Sequence, residues 1–243
     1  MQGSSDQSAS TSSYTWTPTS ADASLRFDVR QDPHAVTSTT VKASSDTTPA
    51  QGQWAWGVRG WWYRYADGTY PTNTSKTIGG KVYRFDADGY MRTGWVFEQG
   101  SWYYHAVSGA QVTGWVLDGV SWYYMDPSTG AMATGWIQLG NTWYYLTGSG
   151  AMAQGWTLVN GTWYYLNGSG AMQTGWLNLK GTWYYLNGSG AMQTGWLMTG
   201  GTWYYLNGNG AMAQGWLCLG GTWYYLTPGN GGMKTGWYMA GKE

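Results

Sequence analysis

Gly181-Thr182-Trp183-Tyr184-Tyr185-Leu186-Asn187-Gly188-Ser189-Gly190-Ala191-Met192-Gln193-Thr194-Gly195-Trp196 is the stretch that decides how this chain folds. Ahead of it stands Trp176-Leu177-Asn178-Leu179, and the pair Lys180-Gly181 separates the two short apolar runs. Aromatic and apolar residues on either side of a glycine-containing pair predict a β-hairpin. Asn187-Gly188-Ser189-Gly190 is loop chemistry, because glycine reaches the positive φ angles that swing the chain into its next element. The same wording recurs in both directions. Gly-Trp pairs put Trp at 95, 115, 136, 156, 176, 196, 216 and 237, at intervals of 20 residues with two of 21. Trp-Tyr-Tyr opens at 102, 122, 143, 163, 183, 203 and 223, seven residues after the Gly-Trp tryptophan in each unit but the last.

A lone hairpin cannot bury both its faces, so successive hairpins must stack. The fold expected is all-β, a β-solenoid of stacked hairpins with repeats of about 20 residues, preceded by a mostly disordered N-terminal tail. Residues 94–243 form the repeat array, with an incomplete last repeat. Residues 53–93 hold worn copies, Trp61-Trp62-Tyr63-Arg64-Tyr65 and Lys81-Val82-Tyr83-Arg84-Phe85, that cap it. Asn73-Thr74 stand where Gly-Trp is expected and Val82 where Trp is, so pockets there should be absent or weak. Residues 1–52, rich in Ser and Thr, read as a linker, with one alternating strand-like segment at residues 25–30.

Composition narrows the chemistry. Charged residues are 10% of the chain and aromatic ones 18%, with 20 Trp and 21 Tyr against three Phe. Such aromatics have a polar edge and line wet pockets while also packing a core. A formal net charge of zero provides no basic field for nucleic acid or an anionic membrane. No apolar run approaches the roughly 20 residues that span a bilayer. Met1-Gln2-Gly3-Ser4-Ser5-Asp6 is not a secretion leader. Cys218 is the one cysteine, which excludes an intrachain disulfide and a cysteine-rich zinc cage. No Asp or Glu occurs between Asp126 and Glu243, so glycosidase, protease and metal-hydrolase chemistry lacks its acids and ligands across that half. No enzymatic activity and no cofactor are expected.

Side chains alternate along a strand, so Trp183 and Tyr185 share one face while Tyr184 points to the other. Trp176 stands beside Trp183 across the hairpin. The next hairpin is expected to bring Tyr205 and Met212 to that wall. Three π faces without a carboxylate suit a quaternary ammonium, and a Met thioether closes such a cage without demanding geometry.

Residues 181–196 resemble the choline-binding or cell-wall-binding repeat, in good copies over 94–237 and degenerate ones over 60–93. The resemblance implies a left-handed β-solenoid that carries autolysins, phage lysozymes or surface adhesins onto choline of teichoic acid, on the bacterial surface outside the cell. It also implies that two Trp of one repeat and a Tyr of the next form each site. Carried onto this chain, the sets are Trp95, Trp102, Tyr124 with Met132; Trp115, Trp122, Tyr145 with Met152; Trp136, Trp143, Tyr165 with Met172; Trp156, Trp163, Tyr185 with Met192; Trp176, Trp183, Tyr205 with Met212; and Trp196, Trp203, Tyr225 with Met233. Trp216 and Trp223 form a half-site, and that open end is a candidate surface for a homodimer.

Plainer readings stand beside these. Tyr144, Tyr164, Tyr184 and Tyr204, on the opposite strand face, read as solenoid core, and the Met residues also read as gap fillers. Asp28, Asp32 and His34 sit in the polar tail and read as solvated side chains rather than a metal cluster. His105 reads as a half-exposed packing residue and Cys218 as a free thiol. Two rival functions use the same residue types. A glucan- or glycan-binding module also stacks ligands on Trp and Tyr, although related repeats of that kind favour Tyr-Tyr-Phe. A structural spacer would tolerate loss of either Trp in a pair.

Overall fold

A computed structural model describes residues 52–236. The tail, the segment at 25–30, the Asp28, Asp32 and His34 group, and Trp237 lie outside the described residues. Among those described, every element is a strand, and the strands pair into nine antiparallel hairpins, from Gln53–Gly57 with Gly60–Arg64 to Gly215–Leu219 with Thr222–Leu226. The all-β expectation holds. Turn chemistry sets the hairpins: Lys180 and Gly181 both have positive φ, 52° and 89°, the left-handed pair that a two-residue turn needs to match strand twist.

Among the described residues, 52–94 with His105–Gln111 make one compact unit, and Trp95–Tyr104 with residues 112–236 make a second. In the second unit each sheet contains only its own two strands. Neighbouring hairpins are joined instead through loops. Met212 N–H donates to Trp183 O at 2.7 Å, one hairpin back, while Ala213 N–H donates to Tyr205 O at 2.8 Å in its own hairpin. Met132, Met152, Met172, Met192 and Met233 make the same backward bond to Trp102, Trp122, Trp143, Trp163 and Trp203, at 2.7 to 2.8 Å. Met125, Leu146, Leu166, Leu186, Leu206 and Leu226, each the last residue of its hairpin, are fully buried and form the core column. The loop between is held by Asn187, whose Oδ1 accepts from Ser189 N–H, Ser189 Oγ–H and Ala191 N–H.

The first unit uses the same plan with other residues. Phe85 occupies the core position, and Trp62, Tyr63 and Tyr90 are buried around it. Arg59 pairs with Asp86 and Asp88, and its guanidinium lies 5.1 Å from the centre of the Tyr90 ring. His105 is not half-exposed: it is 3% exposed at the position leucine takes in later hairpins. Its Nδ1–H donates to Gly109 O at 2.9 Å, which fixes the proton on that nitrogen and satisfies a group that burial would otherwise penalise. Thr74, not Asn73, pairs with Phe85 as Gly195 pairs with Leu206, so Thr74-Ser75 replace Gly-Trp and the register sits one residue further on than the spacing suggests. Val82 stands opposite Thr77, where Trp203 stands opposite Met198.

Candidate aromatic cages

Strand pairing divides each hairpin into two chemically different faces. Trp196 lies opposite Tyr205, and Met198 opposite Trp203, so these four project from one face. Leu197 lies opposite Tyr204, and these project from the other, with Leu206. Trp196 and Trp203, diagonal neighbours on their shared face, have ring centroids 6.3 Å apart and planes at 90°. Pairs headed by Trp95, Trp115, Trp136, Trp176 and Trp216 repeat this corner at 6.3 to 6.4 Å.

The open side of the corner meets the opposite face of the following hairpin. Trp95, Trp115, Trp136, Trp156, Trp176 and Trp196 lie 4.8, 5.1, 4.8, 4.9, 4.8 and 4.8 Å from Tyr123, Tyr144, Tyr164, Tyr184, Tyr204 and Tyr224. A groove of about 290 Å³ opens among Trp196, Trp203, Tyr224 and Met233, and its lining is almost wholly apolar. This groove brings together both tryptophans and the methionine of its expected set, but with the first tyrosine of the next Trp-Tyr-Tyr and not the second, and in the other sets too it is the first tyrosine that meets the Gly-Trp indole. Tyr124, Tyr145, Tyr165, Tyr185, Tyr205 and Tyr225 instead flank the Gly-Trp indole of their own hairpin, Trp115, Trp136, Trp156, Trp176, Trp196 and Trp216, at 5.0 to 5.2 Å. The reason is directional. Hairpins stack head to tail, so the face bearing the indoles meets the face bearing Tyr224, whereas reaching Tyr225 requires like faces to meet. Tyr144, Tyr164, Tyr184 and Tyr204, read from sequence as core, are half-buried against the Gly-Trp indoles of the preceding hairpins.

Trp216 and Trp223 are 57% and 64% exposed, against 37% and 42% for Trp196 and Trp203. No hairpin follows them among the described residues.

The first unit contains a set that repeat spacing does not reveal. Trp54 pairs with Tyr63, and Trp56 with Trp61, in the register of Trp196 with Tyr205 and Met198 with Trp203. Tyr83 lies 4.7 Å from Trp54, and Met91 N–H donates to Trp61 O at 2.7 Å. Trp54, Trp61, Tyr83 and Met91 thus hold the register positions of Trp196, Trp203, Tyr224 and Met233, while Trp61 packs its ring on Trp56, at 5.3 Å. Gln53 in place of glycine hides the Gly-Trp signature, but seven residues separate Trp54 from Trp61, as they do Trp196 from Trp203. In the next hairpin Ser75 and Val82 stand in the places of the two indoles.

Charge is sparse around the grooves. Among the described residues, no group of three or more His, Cys, Asp and Glu is placed to hold a metal ion. Cys218 is exposed and free. In the second unit a carboxylate touches a cage tryptophan: Trp95 Nε1–H donates to Asp118 Oδ2 at 2.9 Å.

Comparison with known proteins gives this geometry a family. The choline-binding repeat matches residues 72–110, 99–134, 133–174, 173–214 and 194–238. The solved structure of CbpJ from Streptococcus pneumoniae TIGR4 is 48% identical, with a TM-score of 0.62 over 63% of this chain and 56% of that one. This chain therefore spans little more than half the length of CbpJ. Choline binding protein F from Streptococcus pneumoniae, solved with a peptidoglycan analogue, is 38% identical, with a TM-score of 0.63 over 72% of this chain and 69% of that one. The same protein in complex with ipratropium matches at 35% identity and a TM-score of 0.60, over 72% of this chain and 70% of that one. No curated protein matches the chain. With five matching repeats and relatives that share its hairpin stack, the chain belongs to the choline-binding repeat family.

Proposed function

We propose that this chain is a non-catalytic attachment module, acting outside the cell at a bacterial wall, whose inter-hairpin cages hold the choline groups of teichoic-acid-type polymers. The observation that carries this reading is the groove of Trp196, Trp203, Tyr224 and Met233, three π faces and a thioether with no charged side chain in the lining. A quaternary ammonium donates no hydrogen bonds and is too bulky for a close ion pair. Aromatic faces attract it by about 0.5–1 kcal/mol where exposed and about 2 or more where desolvated. The same set recurs at Trp95, Trp115, Trp136, Trp156 and Trp176, and Trp54, Trp61, Tyr83 and Met91 provide a further one.

Each cage binds weakly, and attachment comes from several held at once by one polymer, which multiplies affinity by about 10² to 10⁴. Isothermal calorimetry with choline, then with a glucan oligosaccharide, tests the reading. Choline should bind at more than one site and raise the unfolding temperature at millimolar concentration, as any ligand selective for the folded state does. Absence of both heat and stabilisation with choline, or preference for the glucan, refutes it. The exposed corner of Trp216 and Trp223 is the place for a second copy of the chain to dock. Sedimentation as a monomer at high concentration with choline present would remove that element.

A further inference from the structure

We infer that Asp118 makes the cage of Trp95, Trp102, Tyr123 and Met132 the tightest and most salt-sensitive of the ammonium sites in its unit, a first point of capture for a cationic headgroup; this rests on the reading of the cages given above. Trp95 Nε1–H donates to Asp118 Oδ2 at 2.9 Å, and Asp118 lies on the following hairpin, the one that supplies Tyr123. The bond has two effects. It fixes the indole by its edge, so the ring face stays turned to the groove, and it places a formal negative charge about one ring's width from a cation on that face.

No other cage of the unit has this charge. Asp118 pairs with Ser121 at the end of its strand, and the same register position is held by Leu139, Val159, Leu179, Thr199 and Leu219 in the later hairpins. None of these is ionisable. Asp118 is exposed, and among the described residues no cation is paired with it. Hydrogen bonding to an anion also pushes electron density into the indole ring, which deepens the negative face that a cation meets. At separations of this order, in surroundings between water and a protein surface, one such charge changes affinity by a factor of about three to ten. Salt reduces that gain, because the screening length falls to about 3 Å at molar ionic strength.

The cages can be read one at a time, since each is closed by its own thioether. With methionine methyls labelled with ¹³C and assigned by single Met→Leu substitutions, choline is titrated against the whole chain at low and at near-molar salt. At low salt the Met132 methyl should reach half its shift at about three- to tenfold less choline than those of Met152, Met172, Met192 and Met212. That lead should vanish at high salt. It should also vanish in Asp118→Asn, which keeps an acceptor for the indole but no charge. Leu139→Asp should confer it on Met152. The uncharged isostere 3,3-dimethylbutan-1-ol should show no preference among cages. A Met132 half-shift at or above the others at low salt, or an Asp118→Asn protein that keeps the lead, overturns the inference. If no methyl responds to choline at all, the cage reading itself fails, a separate outcome.

Discussion

Replacing Tyr204 and Tyr205 separately by Leu tests the head-to-tail stacking that assigns each ring to a cage. The two residues are adjacent in sequence yet project from opposite faces of one hairpin, Tyr204 beside Leu197 and Tyr205 beside Trp196. Tyr204 lies 4.8 Å from Trp176, in the preceding hairpin, and Tyr205 lies 5.2 Å from Trp196, in its own. Loss of the Tyr204 ring removes one of three π faces from the cage of Trp176, Trp183 and Met212. One face contributes about 1 kcal/mol, which is about fivefold in affinity. In the labelled-methyl titration with choline, Tyr204→Leu should raise the half-saturation read at Met212 about fivefold and leave Met152 unchanged. Tyr205→Leu should leave Met212 within about twofold, and should weaken the Met233 cage through a loosened Trp196. The reverse pattern, with Tyr205→Leu weakening Met212 and Tyr204→Leu leaving it intact, refutes the stacking argument and restores the second tyrosine as the ligand residue.

Three further outcomes follow from the scaffold. Leu186, fully buried in the core column, should cost about 2–5 kcal/mol when cut to Ala, read as a lower urea midpoint, and a loss under about 1 kcal/mol would mean the column is not the core. Gly210→Ala should destabilise by more than about 1 kcal/mol, because φ there is 83° and a Cβ would collide with Met192 Sδ; an unchanged melting temperature counts against both constraints. Asp126 is held down to about 2 from 3.8, first by the Ser128 hydroxyl and then by the Thr129 N–H and hydroxyl, so its contribution is present above pH 3.8 and is lost as pH falls toward 2. Asp126→Asn should flatten that part of the acid melting curve, and an identical curve would show that the bonds are not kept in solution.

Much of this is legible because the code is local. Lys180-Gly181 announces its turn, the strand pattern announces two faces, and the 20-residue spacing announces stacking. Alternation along the strand places Trp183 and Tyr185 on one side and Tyr184 on the other, and the strand register agrees. What alternation does not contain is which face of the next hairpin each side meets. That is set by the loop, through bonds such as Met212 N–H to Trp183 O, and no residue type marks it. Trp54 is hidden for another reason: Gln53 replaces the expected glycine, and Ser75 and Val82 erase the next pair, so the period breaks although the fold continues. His105 reads as half-exposed because histidine usually is, and its burial depends on a carbonyl four residues on that satisfies the ring.

The backward bond from each loop to the preceding hairpin bears on how such a gene changes length. Since each cage combines one hairpin with its immediate successor, excising a single period in frame, for instance by joining Trp176 to Leu197, splices the opening Gly-Trp of one hairpin onto the remainder of another of the same wording. One groove disappears and those on either side of the junction keep all their parts. Recombination between near-identical repeats can therefore retune the grip on a polymer in whole steps, without passing through a misfolded intermediate length.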